Sequence, residues 1–119
     1  MRGVGAVIEM GCADMLLLDD DDELLPEPDN AEAMLSSRLG ASGLRAIQDT
    51  LTRHTERRWL KVARVVADAI TAGGFPLSDE AHVCLHVRRL IGLVDSGALE
   101  AQGDLRKPRS SEVRLPGRP

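Results

Sequence analysis

Residues 58–115, RWLKVARVVADAITAGGFPLSDEAHVCLHVRRLIGLVDSGALEAQGDLRKPRSSEVRL, decide the fold. Trp59, Val62, Ala63, Val66, Ala69 and Ile70 recur at steps of three and four, the spacing that lines up apolar side chains on one face of a helix. Lys61, Arg64 and Asp68 fall on the other side. Gly73 and Gly74 end this helix, because glycine takes the left-handed C-terminal conformation without a Cβ penalty, and Pro76 bars its continuation. A second helix is predicted to begin at Ser78 or Asp79, whose side-chain oxygen can accept from a free N–H of the first turn. Glu80 then sits favourably against the helix dipole. Val83, Val87, Leu90 and Val94 form the buried stripe, with Cys84 and Ile91 at its edge. Arg88, Arg89, Leu85 and Asp95 point away from that stripe, and Gly97 stops the helix.

Downstream, Ala98 to Gln102 and Glu112 to Leu115 read as two short strands, since Leu99, Val113 and Leu115 alternate with polar residues. Gly103–Asp104 is a turn candidate. The connection carries Arg106, Lys107, Pro108, Arg109 and two serines, which predicts a basic, mobile hairpin tip. Upstream, Leu44, Ile47 and Leu51 mark another helix from Ser42 or Gly43 to about Glu56. Trp59, the largest side chain available, is expected to anchor the three-helix junction, and Phe75 is the only other aromatic. The fold class is therefore mainly α: a winged-helix-like three-helix module with a C-terminal β-hairpin over residues 40–116, preceded by an acidic, flexible arm over residues 1–39.

The net charge of −4 conceals an asymmetry. Residues 1–35 hold ten acids and one base, whereas residues 36–119 hold nine acids and fourteen bases. A basic module thus follows an acidic leader. The leader is either a solvated arm or a polyanion that mimics nucleic acid or folds onto a basic partner. Its acids lack the alternating oxygens, central glycine and terminal glutamate of an EF-hand loop. Met1 to Met10 is a weak strand or irregular, and Asn30 can cap a short helix through Leu35 after Pro26 and Pro28. Cys12 and Cys84 do not make a disulfide framework, and Cys84 reads as a small core hydrophobe. No apolar run approaches the roughly 20 residues that span a bilayer, so a cytoplasmic protein without membrane contact is expected.

Several runs in this module carry a family likeness. They are W-x-K-V-A-R-V-V from Trp59 to Val66, L-S-D from Leu77 to Asp79, and R-R-L-I-x-L-V-x-S-G-x-L-E from Arg88 to Glu100. G-D-L from Gly103 to Leu105 and E-V-R-L-P from Glu112 to Pro116 complete the set. Together they resemble a bacterial domain-of-unknown-function family, the C-terminal module of larger two-domain proteins, over residues 40–116. The resemblance implies a helical, winged-helix-like module and supplies no catalytic residues. The family's N-terminal partner domain is not recognisable here, and the acidic leader stands in its place.

The chemistry is sparse. His82 and His86 share a helix face at i, i+4, but Cys84 lies on another, so the three cannot converge on a metal. No nucleophile–base order, phosphate loop or paired cysteine set appears, so neither an enzyme nor a cofactor is expected. Two readings remain. In the first, the module binds a protein partner or a second copy of itself, and Leu85 and Leu93 provide a second apolar surface. In the alternative, it is a duplex DNA-binding transcriptional regulator. The second helix of a helix-turn-helix then presents Arg88 and Arg89 to the groove, and a basic wing adds Arg106, Lys107 and Arg109.

Overall fold

A computed structural model describes residues 16–17 and 23–117. The first ten residues, the Asp19–Asp22 block and Cys12 lie outside the described residues. Three helices and a small antiparallel three-stranded sheet make up the fold. Helix α1 spans Asn30–Arg53, strand β1 Leu60–Lys61, helix α2 Val62–Ala72 and helix α3 Glu80–Asp95. Strand β2, Glu100–Gln102, and strand β3, Glu112–Arg114, close the chain.

The first helix starts twelve residues earlier than the apolar spacing of Leu44, Ile47 and Leu51 suggests. Asp29 caps it by accepting from the Glu32 N–H at 2.9 Å. Gly40 then breaks it, with φ at 66° and ψ at −177°. Only glycine takes that φ without strain. The break lets the two halves of α1 follow different faces of the core. Leu35 is buried on the first half, Ile47 and Leu51 on the second. The expected flexible arm therefore does not reach residue 39, because Leu16, Leu24 and Leu35 all belong to the core.

Helix α2 begins at Val62 rather than Trp59, since the two preceding residues pair as a strand. Leu60 stands opposite Val113 and Lys61 opposite Glu112, while β2 pairs with the other edge of β3. The sheet order is β1-β3-β2. The backbone N–H of Val62 donates to Ser111 O and that of Leu115 to Glu56 O, which extends the strap at both ends of β1. A two-residue strand is too short to alternate, so it leaves no period in the sequence.

Trp59 is consequently not the core anchor. Its ring is only half-buried and lies under the guanidinium of Arg114, 4.4 Å from the ring centroid. The core is aliphatic, built from Val62, Val65, Val66, Ala69 and Ile70 of α2 against α1 and α3, with Leu99 just before β2 and Val113 of β3.

Helix α3 is capped as its sequence predicts. The Asp79 carboxylate accepts from the N–H groups of Ala81 and His82. The hairpin tip differs from expectation, being neither extended nor loose. Gly103 turns the chain at φ 87°, where a Cβ would meet Ser110 O at 2.7 Å. Pro108–Ser110 form a 3-10 turn with Pro108 buried, and the Ser111 hydroxyl donates to Lys107 O. Leu24 N–H donates to Arg106 O at 2.7 Å, fastening the N-terminal segment to the tip.

Candidate functional site

The residues expected to meet a partner are largely turned inward. The guanidinium of Arg88 donates from Nε and Nη2 to the two carboxylate oxygens of Glu32, at 2.6 and 3.0 Å, and from Nη1 to the carbonyls of Leu25 and Pro26. Arg89 donates to the Gln48 side-chain oxygen at 2.5 Å, and its Nε is buried without a partner. Both arginines thus face α1 and the segment before it, not solvent. Leu85 and Leu93 are buried in the core, so the second apolar surface expected there does not exist. Helical spacing missed this because the burial of α3 is set by its packing against other elements, α1 above all.

The basic tip is partly engaged as well. Arg106 pairs with Glu23 at 3.3 Å and with Asp104 at 3.8 Å. Arg109 is exposed and donates to Leu17 O at 3.4 Å. Lys107 is half-buried, and its carbonyl accepts from Ser110 and Ser111. Arg88, Arg106 and Arg109 each meet a group from the acidic leader or the helix that follows it. Cys84 is buried and is not a free thiol.

A different cluster stands out, and the sequence hinted at it only through the i, i+4 histidines. Phe75, in the turn after α2, stacks on His82 with ring centroids 4.0 Å apart and planes 20° from parallel. His86 meets the edge of Phe75 at 6.3 Å and tilts against His82 at 5.7 Å. Both histidines are buried. Loss of hydration pushes His86 down to about 4, and burial also lowers His82, opposed by the Asp79 carboxylate. Both rings are therefore neutral near pH 7.

Next to this cluster lies a pocket of about 210 Å³ between α1, α2 and α3. Leu39, Ile47, Ala69, Phe75 and His86 form its principal walls. Gly73 allows Phe75 to fold back over the end of α2, since a Cβ there would come within 2.8 Å of the ring. Thr50 is also at the wall, and its hydroxyl gives its proton to Ala46 O. His86 and the Thr50 oxygen, which can still accept, are thus the polar side-chain groups of the lining.

Among the described residues no group of three metal-ligating side chains converges, and no helix is long and apolar enough to cross a membrane. Comparison with protein-family models, with curated proteins and with solved structures gives no match to this chain. The functional reading rests on the geometry of the chain itself.

Proposed function

We propose that the chain is a winged-helix-like module that binds a protein partner or a second copy of itself. The winged-helix reading is supported by the order helix, strand, helix, helix, strand, strand, with the last strand between the other two. The observation that carries the interaction reading is the inward engagement of α3. Residues His82 to Val87 are all buried, and Arg88 and Arg89 are held by Glu32 and Gln48. A helix that reads duplex DNA presents free donors and acceptors along its outer face, usually toward its N-terminal end. This one presents none there. The exterior instead carries exposed apolar side chains at Leu25, Met34 and Leu77. Scattered apolar side chains are ordinary on a surface, so their role needs a direct test.

The discriminating experiment pairs two measurements on the full chain. Sedimentation velocity over a range of concentrations is expected to show reversible self-association that Met34→Glu weakens. Fluorescence anisotropy with random duplex DNA is expected to show no binding at low salt. Binding whose affinity falls steeply and log-linearly with salt, the mark of counterion release, together with a chain that stays monomeric, overturns the interaction reading in favour of a DNA-binding regulator.

A further inference from the structure

We propose that the pocket between α1, α2 and α3 is a binding site for a small, mostly apolar molecule of the phenol class, whose hydroxyl donates a hydrogen bond to Nε2 of His86. The proposal is independent of whether the module's partner is protein or DNA.

The tautomer of His86 is fixed by its own helix. Nδ1 of His86 lies 2.7 Å from the carbonyl oxygen of His82, one turn earlier on α3. A carbonyl only accepts, so Nδ1 must carry the proton. In a neutral imidazole the other nitrogen then holds a lone pair and no hydrogen. Nε2 is therefore an acceptor that faces the pocket rather than a sealed interior, since the sealed and unpartnered polar atoms among the described residues are His82 Nδ1 and Arg89 Nε. The ring is 1 % exposed, and its Nδ1 edge is turned back onto its own helix, which leaves the Nε2 edge for the pocket it lines. An acceptor on the wall of a mostly apolar pocket gains from a bound donor.

The rest of the lining sets the size and polarity of the guest. Leu39, Ile47, Ala69 and Phe75 are apolar, and the Thr50 hydroxyl, its proton given to Ala46 O, can only accept. A water held in a buried site needs two to four polar partners. The lining side chains offer a water two acceptors at most, His86 Nε2 and the Thr50 oxygen, and hydrocarbon elsewhere. An apolar cavity of about 150 Å³ is enough to hold benzene, and this pocket measures about 210 Å³. One aromatic ring with one hydroxyl fits both the volume and the acceptor on His86. Phe75 supplies an aromatic wall for offset or edge contact with that ring. A carboxylate or other anion is disfavoured, because the exposed polar atom is an acceptor in a site lined by hydrocarbon.

The test uses phenol and toluene as probes, two molecules of nearly the same shape that differ in the donor. The full-length chain, labelled with ¹³C in its histidine rings and isoleucine methyls, is titrated with each near pH 7. Phenol is expected to give saturable shifts of the His86 ring and the Ile47 methyl, with a dissociation constant at least about fivefold below that of toluene, one good neutral hydrogen bond being worth about that factor. His86→Phe is expected to bring the two probes level. Ala46→Trp, on the exposed rim of α1, blocks the mouth without touching the core and is expected to abolish both titrations. That second variant keeps the test decisive if His86→Phe does not fold. Shifts that grow linearly without saturation overturn the proposal, as do shifts that persist in Ala46→Trp or are the same for phenol and toluene in the unmodified chain.

Discussion

Arg88 grips Glu32 across 56 residues of sequence, with two guanidinium nitrogens on two carboxylate oxygens at 2.6 and 3.0 Å. The Glu32 side chain is only 3 % exposed and that of Arg88 23 %, so solvent screens this pair weakly. It is what binds the first half of α1 across α3. Removing one partner strands the other charge in a dry setting, which typically costs about 3 to 5 kcal/mol. Glu32→Ala is expected to lose about that much in urea unfolding. Glu32→Met with Arg88→Met is expected to recover most of the loss, because an apolar pair of similar volume removes both desolvation penalties. Additive losses in the double variant would show that the two side chains act separately. Arg88→Glu, a natural charge reversal for testing nucleic-acid contact, sets two carboxylates together and disrupts the fold rather than a binding face.

The same relationship shows where the sequence was legible and where it was not. Helices α2 and α3 announced themselves through apolar spacing, the Gly73–Gly74 stop and the Asp79 cap, all of which are local. Leu35 and Leu39 also fall on a helical spacing, but Gly40 interrupts the phase before Leu44 resumes it. Pro26, Pro28 and the surrounding acids made the same segment look like a solvated arm. The contact that folds it down, Glu32 with Arg88, is a long-range pairing of two charges, and no window of adjacent residues contains both. Burial of Leu85 and Leu93 follows from that docking and was hidden for the same reason. The pocket was least visible, since His86 acquires its meaning from Phe75, Ala69 and Ile47 on other elements.

Trp59 gives a second expectation. A tryptophan at a helix junction would cost about 3 to 5 kcal/mol on truncation to alanine. Here the ring is half-buried and its distinctive contact is the Arg114 guanidinium. An exposed cation–π contact contributes about 0.5 to 1 kcal/mol, so Trp59→Ala is expected to lower stability by about 1 to 2 kcal/mol. Urea midpoints of the two chains, compared at equal m-value, measure this. A loss above about 3 kcal/mol would return Trp59 to the core.

The acidic leader bears on stability as well as charge. Removing residues 1–35 takes away Leu16, Leu24 and Leu35, each 5 % exposed or less, together with Glu32. Burial of each leucine contributes about 1.5 to 3 kcal/mol, so the truncated chain is expected to lose its cooperative thermal transition. Circular dichroism during heating reads the outcome directly. A truncated chain that melts as sharply and as high as the full one would mean that residues 36–119 carry the fold alone.

The last expectation concerns pH and follows from the sign of the His86 shift. Burial depresses its folded value to about 4 from an ordinary 6.5, so the unfolded chain takes up a proton at a higher pH than the folded one. Stability from this group is complete above about pH 6.5 and is lost as the pH falls toward 4. The slope in that window is at most about 1.4 kcal/mol per pH unit, for a total near 3 kcal/mol. His82 acts in the same direction, its own loss of hydration opposed by Asp79 and reinforced by the Arg38 charge. Carboxylates add their own dependence at the acid end, so the informative quantity is a difference between two chains. Urea unfolding at pH 7, 6, 5 and 4.5 is expected to show a shallower fall for His86→Leu than for the unmodified protein. The gap should open between pH 6.5 and 4.5, where only the imidazole distinguishes the chains. Parallel curves through that window would mean that His86 takes its proton equally well in the folded and unfolded states.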